Sequence, residues 1–308
     1  MLTALADAQG VMCLGIGGGG DCVGAYAVAE ISRALGTPAH AGGITWERRP
    51  IDPLPGARHL HEVRDAEPLN DLIALAHAGT VGPQGARFCE SHLAEATGER
   101  VVLADPNPGP AALGAALADA ARRLDCDLVV LVDVGGDALA HGDEAGLASP
   151  LADALCLAAA EHIDGVATLG VVIGAGCDGE LHHTEVMARI AEVAAAGGGR
   201  GAVGLEPALL DRVERAARDV PTEASALALQ AARGVTGDVP IRNGRRTVDL
   251  SPVAALAFGF DVAAAIGSAA RCADAVRNAT SLQHANELLG ALGIRTELDY
   301  ETELAGTS

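Results

Sequence analysis

The stretch Val11-Met12-Cys13-Leu14-Gly15-Ile16-Gly17-Gly18-Gly19-Gly20-Asp21 constrains the rest of the chain more than any other. A short apolar run that breaks into glycines and resumes with small residues reads as strand, loop and helix start in one piece. Four consecutive glycines forfeit backbone entropy, and a fold gains from that where the backbone must come close to a ligand. Gly15, Gly17 and Gly20 also match the G-x-G-x-x-G spacing that sets an anion on a helix N-terminus. On that reading Gly17, Gly18, Gly19 and Gly20 form an anion cradle. Asp21 cuts against plain dinucleotide binding, because its carboxylate would stand where a pyrophosphate wants to lie, and two anions repel. Either it meets a cation-bridged phosphate, a ribose or an amine, or it caps the helix expected over 22–35.

Composition narrows the partners. A formal charge of −20 over 308 residues repels nucleic-acid backbones and anionic membranes, so a small molecule is the expected ligand. The chain contains no lysine, which excludes a Schiff-base lysine, pyridoxal phosphate anchored that way and a P-loop lysine. Seven cysteines, widely spaced and without a C-x-x-C pair, read as reduced thiols rather than a disulfide framework. Neither a signal-peptide pattern nor a long uncharged apolar stretch is seen, and a cytoplasmic protein is expected, with a homo-oligomer as the default assembly.

Further strand, loop and helix units follow. Pro38–Ile44 reads as a second strand, then a loop at 45–55 broken by Pro50, Pro53 and Pro55, in which Glu47 and Arg48 could wall a ligand. Residues 101–105 and 127–134 read as strands. Asp133 falls at the end of the second, with Asp137 just beyond Gly135 and Gly136. Ligands of open parallel sheets bind outside strand C-termini, and two carboxylates there either hold Mg²⁺ through water or satisfy loop amides. A lid-like segment spans 138–148, and Ser149-Pro150 opens a helix running to 162. A strand over 165–174 ends in Cys177, Asp178 and Glu180, the third strand end to combine glycine and acid. Cys177 is a conceivable nucleophile, though a cysteine without an orienting histidine is more often inert. His182 and His183, being adjacent, point in different directions, so only one of them is expected to join a site. Residues 205–233 read as helical and 241–248 as a hairpin around Asn243-Gly244. Helix is expected across much of 250–279 and over 280–292, then a terminal strand at 295–300. The expected whole is one α/β domain over 1–308, with irregular insertions near 57–100 and 235–250.

Several segments occur together and in order: Gly-Ile-Gly-Gly-Gly-Gly-Asp at 15–21, Trp-Glu-Arg with Ile-Asp-Pro-Leu-Pro-Gly at 46–56, Asp-Val-Gly-Gly-Asp at 133–137, Ser-Pro-Leu-Ala-Asp at 149–153, Leu-Ser-Pro at 250–252 and Arg-Thr-Glu-Leu-Asp-Tyr-Glu at 295–301. In these the chain resembles the family catalogued as domain of unknown function 1152 over nearly its whole length. The resemblance implies a Rossmann-like α/β fold and carries no activity with it.

The reading is a three-layer α/β sandwich with a mainly parallel sheet and helices on both faces. Its expected site binds a nucleotide or a phosphorylated or amino-bearing metabolite, with Mg²⁺ if phosphate is present. Asp21, Asp133 and Asp137 are the candidate catalytic groups, Asp133 and Asp137 the candidate metal ligands. Gly17 to Gly20, Glu47, Arg48, Gly135, Gly136, Cys177 and Asp178 are the candidate ligand contacts. Group transfer, hydrolysis or elimination by acid–base chemistry is the expected reaction; a nicotinamide oxidoreductase and a non-catalytic metabolite-binding protein are the alternatives.

Overall fold

Alternation along the central strands decides the architecture. In the computed structural model, which describes residues 1–49 and 51–306, Met12 and Leu14 face one apolar core, while Val11 and Cys13 face another. Val129 and Leu131 join the first core, Val130 and Val132 the second. Strands buried on both sides need a layer of helices on each, which is the three-layer arrangement.

The chain runs α1 (Leu2–Asp7), β1 (Val11–Gly15), α2 (Asp21–Ala34), β2 (Ala39–Ile44), β3 (Glu67–Pro68), β4 (Ile73–Ala76), α3 (Cys89–Thr97), β5 (Val101–Ala104) and α4 (Pro110–Arg123). It continues with β6 (Leu128–Val134), α5 (Pro150–Ala159), β7 (Ala167–Ile173), α6 (His183–Ala195), β8 (Gly199–Gly204), α7 (Pro207–Ala217) and α8 (Ala224–Ala232). The last part comprises β9 (Gly237–Ile241), β10 (Arg246–Leu250), β11 (Leu256–Phe260), α9 (Val262–Ile266), α10 (Arg271–Val276), α11 (Leu282–Ala291) and α12 (Glu297–Gly306). Nine strands form one sheet in the order β3-β4-β5-β2-β1-β6-β7-β11-β8, and β9 and β10 make a separate hairpin. The five central strands are parallel, and antiparallel strands close both edges. From β1 the chain builds outward through β2 on one side and, later, through β6 on the other. The β1/β6 seam is therefore the topological switch point, where a crevice opens at the strand C-termini.

Two expectations are corrected. Residues 250–279 are not one interrupted helix: they form the end of β10, the antiparallel strand β11 and two short helices. The run Ala-Leu-Ala-Phe-Gly-Phe fits a strand as well as a helix, and the open edge of β7 decides the matter. Residues 295–300 open α12 instead of forming a strand. Thr296 and Asp299 exchange side-chain and backbone hydrogen bonds at 3.2 and 3.5 Å, a reciprocal cap written in the sequence as Thr-x-x-Asp. The helical stretch 205–233 is split into α7 and α8, and the hairpin does turn at Asn243-Gly244. Pro50, one of the prolines expected to shape the 45–55 loop, lies outside the described residues. Among those residues, no helix is long and apolar enough to cross a membrane.

Candidate functional site: a buried set of carboxyl groups

At the β1/β6 seam the glycine loop makes room for carboxylates. A Cβ on Gly17 would stand 2.7 Å from one oxygen of Asp21 and 2.9 Å from one of Asp153, and a Cβ on Gly135 only 2.5 Å from the Asp178 carboxyl carbon. Gly18 and Gly19 take positive φ values of 76° and 51°, which turn the chain sharply into α2. The Gly17 amide donates to Asp21 Oδ2 at 3.0 Å, and the Gly19 amide to the Trp46 carbonyl at 2.8 Å. Over Gly20 lies Thr222, close enough that a Cβ there would collide with it. Two of the loop amides are thus engaged within the protein, one of them by the protein's own anion.

Asp21 is the first residue of α2 and does not cap it. Its Oδ2 also accepts from Val134 N at 3.2 Å, stitching the helix start to the end of β6. Asp133 turns into the same space and accepts the amides of Gly136 (3.1 Å) and Ala138 (3.0 Å). Asp153 reaches it from the first turn of α5. Oxygens of Asp21, Asp133 and Asp153 lie within 4.8 Å of one another, all three residues being buried. A second such group, Asp137, Asp178 and Glu180, adjoins the first.

The hydrogen bonding of these groups is uneven. Glu180 is fully engaged: Oε2 accepts the amides of Ala148 and Ser149 at 2.7 Å each, and Oε1 takes the Ser149 hydroxyl and Arg242. Glu297, the first residue of α12, accepts from Leu151 N and Ala152 N and so closes the α5 N-terminus. In contrast, Asp153, 2% exposed, has an Oδ1 that is buried without any partner. Asp137 accepts no side-chain hydrogen bond from any described residue.

Ionisation follows the same division. Burial pushes Asp133, Asp137 and Asp153 well above the usual carboxylate range, with Asp21 adding to the first, Asp153 to the second and Asp133 to the third. Burial also lifts Asp21 to about 6, against the opposing pull of Arg48, and Asp178 to about 7, with Glu180 contributing. It raises Glu297 to about 7 in spite of its amide donors. Burial would raise Glu180 too, but the Ser149 hydroxyl, Arg48 and the two amides outweigh it and hold the group below its ordinary value.

Arg48 is the cation of the rim. Its stem lies over Gly19, and the residue is exposed as a whole. Desolvation of the buried part works against the charge, but Glu180, Asp21, Glu297 and Asp137 outweigh it and raise its pKa. Glu47, read from sequence as its partner in one wall, points the other way. It accepts from the amide and thiol of Cys89 and faces Glu90, both of whose oxygens are buried and unpartnered. Trp46 donates to Glu301 at 3.1 Å and ties this loop to α12. Cys177 is fully buried in the small core under the hairpin, and burial raises its thiol far above a reactive range. A Cβ on Gly136 would meet Val186 near the start of α6, while its amide serves the cluster by donating to Asp133.

The structure therefore brings together Asp21, Asp133, Asp137, Asp178, Arg48, Gly17 and Gly135, and separates Glu47 and Cys177 from them. Sequence reasoning missed Asp153, Glu180 and Glu297 as members. Asp153 had a signal: it is the one acid in Pro-Leu-Ala-Asp-Ala-Leu-Cys-Leu-Ala-Ala, a helix buried along its whole length, where an acid without a purpose is costly.

Residues 12–305 match the family described as "Protein of unknown function (DUF1152)", and the chain belongs to that family. No curated protein and no solved structure matches it significantly.

Proposed function

We propose that this member of the DUF1152 family is a small-molecule enzyme whose carboxyl set at the β1/β6 seam holds a divalent cation, Mg²⁺ by the hardness of its oxygen ligands. One observation carries the reading: Asp153 Oδ1 is buried and unpartnered, on a carboxylate that comes within 4.8 Å of those of Asp21 and Asp133. An orphaned anionic oxygen beside two others is costly unless a cation or protons answer it. Burial and mutual repulsion raise Asp133, Asp137 and Asp153 well above the usual carboxylate range, which favours their protonated forms when the cation is away.

A phosphorylated ligand, a nucleotide included, would then be held through the cation, with Arg48 at the rim taking a further oxygen. Direct seating of a pyrophosphate on the glycine loop is disfavoured, since Asp21 already accepts the Gly17 amide. That argues against the nicotinamide alternative. Among the described residues none donates a hydrogen bond to the Asp137 side chain, and burial raises its pKa well above the usual carboxylate range, which suits proton transfer in group transfer, hydrolysis or elimination.

The experiment is a turnover and thermal-shift screen of phosphorylated metabolites and nucleotides with and without Mg²⁺. A hit that needs Mg²⁺ and vanishes in Asp153→Asn supports the reading. Stabilisation by amino compounds alone, indifferent to Mg²⁺, would favour a second reading, in which the same orphaned oxygen accepts a ligand's ammonium group.

A further inference from the structure

A separate cluster lies where the β9–β10 hairpin meets the start of α6. His182 is the N-cap of α6, with extended backbone at φ −69° and ψ 146°, and His183 is the first helical residue. Because the N-cap does not follow the helical rotation, the two rings converge, their centroids 4.2 Å apart. This corrects the expectation that adjacent histidines must diverge. Asp249 of β10 completes the group: its Oδ2 lies 3.3 Å from His182 Nε2 and 3.9 Å from His183 Nδ1. Donor atoms around a four-coordinate zinc, at about 2.0–2.1 Å from the metal, stand roughly 3.3 Å from one another.

Two further observations point to a cation here. His183 Nδ1 is buried and has no hydrogen-bond partner. Asp238 stands directly across the ladder from Asp249, and like charges so placed are unfavourable unless something positive lies near them. The surroundings also suit a ligand histidine. His182 Nδ1 accepts the Thr184 amide at 3.3 Å and lies 2.7 Å from the Thr184 hydroxyl; binding a metal at Nε2 moves the ring proton to Nδ1, where that hydroxyl can accept it in exchange for the amide bond.

We propose that His182 Nε2, His183 Nδ1 and Asp249 Oδ2 form a binding site for a borderline divalent transition metal of the zinc type, its fourth position open to solvent. The site is independent of the carboxyl set at the β1/β6 seam. It clamps the hairpin to α6, and that hairpin carries Arg242, which reaches Glu180 at 3.3 Å, and Arg246, which donates to the Gly179 carbonyl at 2.9 Å. A bound metal therefore stiffens one wall of the carboxyl site.

The test is a Co²⁺ titration of the full chain in excess Mg²⁺, which saturates oxygen-only sites but does not compete for imidazole. The expected result is one saturating equivalent with the intense visible absorption of four-coordinate Co²⁺, displaced by Zn²⁺. His183→Ala and Asp249→Asn should each abolish the signal, and Thr184→Val should weaken binding by about 10- to 100-fold. Asp153→Asn should leave it unchanged. Should either ligand variant lose its far-ultraviolet circular dichroism, Thr184→Val, which keeps every ligand, decides. No visible band in the wild type, a signal that survives the combined His183→Ala and Asp249→Asn change, unweakened binding in Thr184→Val or loss in Asp153→Asn would each overturn the proposal.

Discussion

Two strand ends of the parallel sheet, those of β5 and β6, carry buried aspartates and use them in opposite ways. After β5, Asp105 accepts the Leu60 amide at 2.9 Å, the Asn107 amide at 2.9 Å and the Asn107 side chain at 2.7 Å, with His59 beside it. It is a structural acid whose lone pairs are spent on its own loop. After β6, Asp133 uses its oxygens in the same manner, but Asp21, Asp137 and Asp153 crowd the same space and Asp153 keeps one oxygen with no donor. Burial alone does not mark a site; carboxylates assembled faster than donors are supplied do.

The largest expected effect lies on the structural side of this contrast. Asp105→Ala removes several hydrogen bonds to a charged group and leaves buried amides unpaired, so unfolding free energy should fall by about 3 kcal/mol. Cation binding at the β6 end should be untouched, as denaturant melts and a metal titration of the same variant would establish. Equal losses in both would erase the distinction.

Asp153→Asn should do the reverse. An amide fills this place without having to take up a proton, so the metal-free protein should gain about 1–2 kcal/mol while losing its cation affinity. A destabilised variant that still binds Mg²⁺ would put Asp153 among the structural acids.

A smaller effect is expected from pH. Asp21 near 6 and Asp178, Glu297 and Glu47 near 7 hold protons in the folded chain that the unfolded chain has already released. Their contribution to stability is full below about pH 4 and is lost as pH rises toward about 7. Glu144 and Glu180 act oppositely, being lowered, and their contribution disappears as pH falls below their ordinary range. Metal-free protein should therefore be more stable near pH 5 than near pH 8, by about 1 kcal/mol or more. Mg²⁺ should restore the loss at the higher pH. Thermal melts across that range, with and without Mg²⁺, read both effects.

Much of this was legible before any coordinates. The strands at 11–15, 101–104, 128–134 and 167–173 announce themselves as apolar runs closed by glycine or proline, and three of them end in the acids that gather at the switch point. Asp153 and Glu297 were harder to see, because they arrive from helices at sequence positions far from the glycine loop and only the packing of α5 under α12 brings them in. The glycines were read as room for a phosphate. Gly17 makes room for the carboxylates of Asp21 and Asp153, while Gly18, Gly19 and Gly20 lie against Trp46, Arg48 and Thr222, a distinction that depends on which residue approaches and not on the spacing of the glycines themselves. Adjacent His182 and His183 misled for a local reason: one belongs to the helix and the other to its cap.

The most direct test of the cation site is isothermal titration of Mn²⁺, as a Mg²⁺ surrogate, near pH 6.5 in two buffers of different ionisation enthalpy, on wild type and Asp153→Asn. Saturable binding by the wild type with net proton release, absent from the variant, is the predicted result, since burial favours the protonated forms of Asp133, Asp137 and Asp153 and a bound cation favours the ionised ones. Identical binding by both proteins, or binding without proton release, would contradict it.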